Sequence, residues 1–360
     1  MRAAVLRTPG SKLTIEDVSL RELGPHDVHV RVAASGVCRS DLSIIDGAIP
    51  HPLPAVLGHE GAGVVISIGD AVTTVAPDDH VVLSWVAPCR RCFQCLHGHP
   101  ELCEHGLDHA FAQPYATASD GTPLLAAFGT ATFGEETIVP ETACVAVDSA
   151  FPSELAALIG CGVVTGVGAV IHSARVEPGE SIAVIGCGGV GLSALQGARL
   201  AGAAPIIAVD RVESKFPLAR RCGATEVVDA SAVDPVGAVR EITGGRGVDH
   251  AVEVVGTSAT IRQAYDMTRR AGTVTVVGAG RFDDLFSIGV MQLMVDAKTI
   301  RGCVYGATDP ERDFPEMIRL HRARGLDLDA LVTRRIELDD VNDAFRAMEA
   351  GEVARSVIVY

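Results

Sequence analysis

The chain has 360 residues and carries 30 Lys and Arg against 45 Asp and Glu, a formal net charge of -15. That balance argues against a nucleic-acid partner and an anionic membrane surface, because both call for a basic face. The length suits two domains rather than one, and a hydrophobic fraction of 48% is enough to bury both cores.

Residues 1–15 hold no apolar core of signal-peptide length, and the longest apolar stretch, 158–171, is short and interrupted by glycine. The expectation is a cytoplasmic protein with no membrane span. From the start to about residue 160, short Val-rich runs are separated by Gly, Pro and Asp. Val28-His29-Val30-Arg31-Val32 and Gly63-Val64-Val65-Ile66 are two of them, and they read as strands of a β-rich domain. Four of the ten cysteines crowd into this region as Cys89-x-x-Cys92-x-x-Cys95, then seven residues, then Cys103. The gaps are too short for relaxed disulfides, and four thiolates in one loop match a closed, tetrahedral structural zinc site. His97 and His99 lie nearby, but four thiolates already fill that coordination shell.

From about Cys161 to Cys303 the pattern changes. Apolar runs near residues 182–185, 206–209, 226–228, 251–255 and 274–277 alternate with helix-length segments. This is the signature of a parallel sheet covered on both faces, so the fold class is α/β. The first of these strands runs into Gly186-Cys187-Gly188-Gly189-Val190-Gly191, and a helical pattern follows. Gly186 permits the tight turn, Gly188 leaves room for a pyrophosphate, and Gly191 lets the helix pack on the strand. The phosphates would then meet a helix N-terminus. Asp210, about 20 residues on and at the end of the next strand, sits where an acid grips the ribose hydroxyls of NAD. Its carboxylate would repel a 2′-phosphate, which favours NAD over NADP. Arg211 would soften that preference, and Lys215 is either a second ribose contact or a solvated lysine. Beyond about residue 304 come two amphipathic segments, 313–324 and 338–350, and a closing strand, Ser356-Val357-Ile358-Val359.

A second metal site would have to be assembled from distant segments: Gly36-Val37-Cys38-Arg39-Ser40-Asp41, Gly58-His59-Glu60 and Gly160-Cys161-Gly162. Two Cys, one His and a water make a catalytic zinc arrangement with an open fourth position. Spacing alone does not select these three residues from ten cysteines and twelve histidines.

These motifs resemble those of the zinc-containing medium-chain alcohol dehydrogenases, and the resemblance runs from Met1-Arg2-Ala3-Ala4-Val5 to Arg355-Ser356-Val357. It implies a GroES-like catalytic domain over 1–161 with the structural-zinc loop at 89–103, a Rossmann domain over 162–303, and a segment 304–360 returning to the catalytic domain. It further implies two zinc ions per chain, with Cys38, His59 and Cys161 holding the catalytic one. Zinc would acidify the alcohol, and a hydride would pass from the carbinol carbon to the nicotinamide. By the same resemblance Ser40 accepts the alcohol proton, Asp41 fixes the His59 tautomer and Glu60 assists ligand exchange. Arg39 and Arg355 bind the pyrophosphate, and Thr165, with Gly189 and Val190, joins the cofactor-binding set. Ile49 and Trp85 line the substrate pocket. The expected substrate is a primary or secondary alcohol, aromatic and other bulky ones included, and the expected assembly is a homodimer, with a tetramer as the alternative.

The chain departs from the liver-type pattern at Ser43, where a histidine ends the proton relay, so the relay ends elsewhere, at water or at His51. The 103–161 loop is also shorter, which alters the pocket. Three rival readings follow: a dehydrogenase of thiol–formaldehyde adducts or reductase of nitrosothiols, a nicotinoprotein that retains its NAD, and a non-enzymatic NAD-binding protein. The retained Cys38, His59, Cys161 and Ser40 argue against the last.

Overall fold

A computed structural model describes residues 1–111 and 113–360. The chain divides into two compact units. Unit 1 comprises residues 1–162, 309–322 and 332–360, and unit 2 comprises residues 163–308 and 323–331.

Unit 1 is β-rich. Strands Arg2–Leu6, Thr14–Leu20, Ala116–Ala118, Pro123–Ala126 and Ala55–Val56 close a small barrel. A seven-stranded sheet is built around the long strand Asp27–Gly36, which pairs antiparallel with Glu60–Ile68, Glu136–Pro140 and Arg355–Val359. Alternation explains the strand: Val28, Val30 and Val32 point inward while Arg31 is exposed. Helix Val341–Glu349 buries Val341, Ala344, Phe345 and Ala347, the spacing of one apolar face, and its Val341, Ala344 and Phe345 join the barrel core beside Leu6, Leu57 and Phe133. Helix Pro310–Arg322 likewise turns Phe314, Met317 and Ile318 inward.

Unit 2 is built on a parallel sheet of six strands: β1 (Ile182–Ile185), β2 (Ile206–Asp210), β3 (Glu226–Asp229), β4 (Val248–Glu253), β5 (Thr268–Val276) and β6 (Thr299–Gly302). Their spatial order is β3-β2-β1-β4-β5-β6, the doubly wound order whose switch point lies between β1 and β4. β1 is buried at all four positions, as a central parallel strand must be.

Three expectations are corrected. The apolar stretch 158–171 is not short and broken. It lies inside one helical run, Ser153–Ala174, of 22 residues, whose most apolar 18-residue stretch has a mean hydropathy of 2.0. That run is long and apolar enough to cross a membrane by length and composition, yet 89% of its apolar window is buried within the protein. Its glycines act as close-packing positions rather than breakers. A Cβ on Gly166 would lie 2.2 Å from the Val190 carbonyl oxygen, and one on Gly168 would lie 2.2 Å from that of Gly306. Second, the strand expected over 251–255 ends at Glu253: the Val254 N–H still reaches the Ile185 carbonyl at 3.1 Å, but the Glu253 side chain captures the N–H groups of Val255 and Gly256. Third, β6 and the strand Val332–Ile336 were not read at all. The residues of β6 are all exposed, and Val332–Ile336 alternates the partly buried Val332 and Arg334 with the exposed Thr333 and Arg335, so neither offers an apolar run.

Gly168→Ala separates the two effects of glycine in a helix. Propensity alone would stabilise the variant by about 1 kcal/mol. Collision with the Gly306 backbone instead predicts a net loss of about 1–3 kcal/mol, read as a lower urea midpoint, and a raised midpoint would refute the packing argument.

Candidate functional site

In unit 1 the pairing of three strands brings one set of residues together. Gly36 lies opposite Glu60 on one side and Val357 on the other. The chain leaving Gly36 carries Cys38, the chain entering at Glu60 carries His59, and Arg355 begins the third strand. Cys161 arrives from the helical run, where a wide i→i+5 turn spans Ile159–Val163. Gly160 can approach because a Cβ there would lie only 2.6 Å from the Leu83 carbonyl oxygen. The ligand atoms of Cys38, His59, Glu60 and Cys161 all fall within 4.8 Å of one another, and all four residues are buried.

Hydrogen bonds orient this cluster. His59 Nδ1 lies 3.1 Å from Asp41 Oδ1, which also accepts from the Gly58 N–H at 2.9 Å. With Nδ1–H donated to Asp41, the Nε2 lone pair is left for a metal. Ser40 Oγ is 3.9 Å from Cys38 Sγ. The Arg355 guanidinium donates to the Val37 carbonyl at 3.1 Å and pairs with Glu60 at 3.0 Å. Gly162 leaves room for it, since a Cβ there would stand 2.4 Å from Arg355 Nη2. A hydrogen bond with Cys161 holds the Cys38 thiol well below its ordinary range, aided by the positive charge of Arg355 and by His59. The Cys161 thiol is pushed up by the same bond. Burial pushes the Glu60 carboxyl up to about 8 despite Arg355. Two soft thiols and an imidazole converging in a dry pocket fit zinc by donor chemistry.

The second cluster is the loop 89–103. Its four sulfurs, from Cys89, Cys92, Cys95 and Cys103, also lie within 4.8 Å of one another. Backbone N–H groups of Cys89, Cys92 and His105 point at sulfur at 3.2–3.4 Å, which suits thiolates. His97 is turned to the Phe93 carbonyl and His99 to Glu101, so neither enters the cluster. Arg90 clasps Asp309 through two hydrogen bonds of 2.7 and 3.0 Å, anchoring the loop to the start of helix Pro310–Arg322. All ten cysteines are unbridged.

In unit 2, β1 opens into Gly186, held at φ +100°, and Gly188 caps the 13-residue helix Gly189–Ala201. A Cβ on Gly188 would meet nothing within 4 Å, so the space in front of that helix end is open. A Cβ on Gly191 would stand 1.8 Å from the Gly186 carbonyl oxygen, so Gly191 is fixed by packing. Gly189 and Val190 form the first helical turn. Asp210 accepts from the Cys187 N–H at 2.6 Å and the Val212 N–H at 2.9 Å, and Lys215 Nζ lies 3.3 Å from it. Arg211 is exposed and Thr165 is buried in the helical run. A free helix N-terminus behind open space, with an acid at the neighbouring strand end, fits a dinucleotide.

Of the remaining candidates, Arg39 is exposed at the start of the helix Arg39–Ile45. Ser43 is buried in that helix, its carbonyl accepting from the Ile49 N–H at 2.8 Å. Ile49 is half-buried against the barrel core. His51 directs Nδ1 to the Pro52 carbonyl at 2.7 Å, and burial lowers its pKa. Trp85 packs edge-on against Phe128, with ring centroids 5.8 Å apart. Phe128 went unread in the sequence. It stands 4.6 Å from the His59 ring, held at φ +51°, so an aromatic wall adjoins the cluster. No local pattern signals it, because it is 69 residues from His59 and its unusual backbone angle has no glycine to announce it.

Comparison with known proteins matches residues 24–149 to the alcohol dehydrogenase GroES-like domain and residues 189–323 to the zinc-binding dehydrogenase domain. Among solved structures, an alcohol dehydrogenase zinc-binding domain protein from Burkholderia ambifaria is 39% identical, with a TM-score of 0.94, covering 99% of this chain and 98% of that one. A benzyl alcohol dehydrogenase from Acinetobacter calcoaceticus is 36% identical, with a TM-score of 0.91 and the same coverage. A zinc-binding dehydrogenase from Sinorhizobium meliloti 1021, solved with NADP, is 26% identical with a TM-score of 0.83 and covers 99% of its chain and 100% of this one.

Proposed function

The chain belongs to the zinc-dependent alcohol dehydrogenases of the medium-chain dehydrogenase family, and from that premise we propose that it oxidises a bulky aromatic alcohol to the carbonyl compound with NAD, reversibly. The observation that carries the substrate class is the wall formed by Phe128 and Trp85 beside His59. A flat ring gains offset or edge contacts there that a short alkyl chain does not. The 36% identity to a benzyl alcohol dehydrogenase points the same way.

Cys38, His59 and Cys161 would hold one zinc, and Cys89, Cys92, Cys95 and Cys103 a second. The first zinc supplies Lewis acidity toward the alcohol oxygen, and the nicotinamide supplies the hydride acceptor. The protein's own groups do the rest. Asp41 holds the His59 ring in one tautomer. Ser40, half-buried next to Cys38, is the group to take the alcohol proton. The proton then passes to water, since Ser43 is enclosed in its helix and the Nδ1 of His51 is committed to Pro52. Glu60 and Arg355 balance charge beneath the thiols. Gly186, Gly188 and Gly191 cradle the pyrophosphate. Asp210 takes the ribose hydroxyls and disfavours a 2′-phosphate.

Unit 2 also suggests how copies associate. β6 is an open sheet edge, and Val290, Met291, Met294 and Ile300 stand exposed around it. An edge with unpaired N–H and C=O groups and an apolar flank is self-complementary about a twofold axis. We assign the chain as a homodimer through that edge. Its unbridged zinc-ligand cysteines suit the reducing cytoplasm.

The direct test follows absorbance at the NADH band with NAD and a panel of benzylic and short aliphatic alcohols. The expected result is two zinc per chain, the higher kcat/KM for benzylic substrates, and a background rate with one zinc in Cys38→Ala. Absence of turnover by fully zinc-loaded protein would sink the proposal. NAD should be preferred over NADP, and Asp210→Ser should narrow that preference by at least about tenfold; an unchanged ratio would remove Asp210 from the cofactor site. Sedimentation should give a dimer that Ile300→Arg converts to monomer, whereas a variant that stays dimeric would exclude the β6 edge.

A further inference from the structure

Glu253 is a fully buried carboxylate in unit 2 that the proposed chemistry leaves without a role. It ends β4, beside Ile185 at the end of β1 and Val276 at the end of β5. These are the carboxyl ends of the central strands, where a doubly wound sheet receives its ligand.

One oxygen of Glu253 does all the bonding. Oε1 accepts from the Val255 N–H, the Gly256 N–H and the Thr260 hydroxyl, each at 2.8 Å. Oε2 is buried and has no hydrogen-bond partner among the described residues. The main-chain carbonyl of the same residue accepts from the Val277 N–H at 2.8 Å and the Gly278 N–H at 3.1 Å. Glu253 therefore ties the loop after β4 and the loop after β5 to a single point.

Those loops are packed against each other and against the Gly-rich turn. Gly256 sits at φ +84°, and a Cβ on Gly278 would stand 2.1 Å from the Gly256 nitrogen. A Cβ on Gly186 would meet Val255 Cγ2 at 2.9 Å and Val254 Cγ2 at 3.0 Å. Val254 Cγ2 also stands 3.3 Å from where a Cβ of Gly191 would lie. The residues that Glu253 holds thus form the floor on which the Gly186–Gly191 turn rests. If they shift, the turn loses the contact that fixes its path.

We propose that Glu253 is a positioning residue for the dinucleotide, its carboxylate locking the loop after β4, which packs on the loop after β5, beneath the Gly186–Gly191 turn so that the turn is preformed for the pyrophosphate. This rests on the reading of unit 2 as a dinucleotide site. A preformed turn lowers the ordering cost of binding, so its loss appears in cofactor affinity before it appears in chemistry.

The test titrates purified, zinc-loaded protein with NADH and follows nucleotide fluorescence, comparing wild type, Glu253→Leu, Glu253→Gln and the milder Thr260→Val. Removing all three bonds in Glu253→Leu should raise the NADH Kd at least about tenfold, and removing one in Thr260→Val should raise it about threefold. Glu253→Gln keeps an acceptor oxygen and should stay within about threefold of wild type. Cofactor KM should rise in step while the KM for the alcohol and the zinc content hold. Should Glu253→Leu fail to fold, Thr260→Val against wild type still decides the matter: a folded Thr260→Val with the wild-type Kd overturns the proposal. Folded variants with a lowered Tm but an unchanged Kd would show a merely structural acceptor and overturn the proposal. A wild type that binds no dinucleotide would overturn both this inference and the functional reading beneath it.

Discussion

Burying two cysteines, two carboxylates and a histidine in one dry pocket is tolerable only if positive charge sits among them. Among the described residues of unit 1, Arg355 is the fixed cation that touches this set, paired to Glu60 at 3.0 Å. One guanidinium cannot balance Glu60, Asp41 and two thiolates together. The thiols share a hydrogen bond instead, with Cys38 driven toward the anion and Cys161 toward the neutral form. A divalent, thiophilic cation would complete that balance. Much of the unit's architecture follows from delivering these groups to one point: strands Asp27–Gly36, Glu60–Ile68 and Arg355–Val359 lie side by side, so Val37 and Arg355, 318 positions apart in sequence, meet at one sheet end.

Close approach is bought there with glycine. Gly36 faces Glu60, where a Cβ would stand 2.1 Å from Oε2; Gly160 lets Cys161 down onto the sheet, and Gly162 admits Arg355. The Gly-rich turn of unit 2 uses the residue differently. Gly186 needs its left-handed φ, Gly191 needs to touch backbone, and Gly188 leaves the space in front of the helix end open. In one unit glycine serves the burial of charge, and in the other it shapes a turn and leaves a helix N-terminus uncovered.

Motifs whose chemistry is local could be read directly. The four-cysteine loop, the Gly-rich turn with Asp210, and the apolar runs of β1, β2 and β5 all declare themselves within a few residues. The trio Cys38, His59 and Cys161 could not be chosen by spacing, because strand register brings it together; resemblance to a family selected it. Phe128 stayed hidden for the same reason, its neighbour His59 being remote in sequence. The edge strands β6 and Val332–Ile336 were missed because an edge is defined by backbone pairing on one side, while its side chains remain polar or exposed. The helical run Ser153–Ala174 was misjudged because its glycines look like breaks until the backbones they admit are known.

The end of β4 shows how far such ambiguity reaches. Val254-Val255 extends an apolar run, and by pattern alone the strand should continue through it. The Val254 N–H does stay with the Ile185 carbonyl, but the Glu253 carboxylate takes the N–H groups of Val255 and Gly256, and because both converge on one oxygen, the chain turns there instead. The competition is local, yet its outcome depends on burial: in water the Glu253 side chain would be solvated and the N–H groups would be free to join a ladder. Enclosed by the sheet, the carboxylate has no water to prefer. A residue that looks like a polar interruption in a strand therefore becomes the point that ends it, and sequence periodicity cannot express that switch because it carries no record of what is dry.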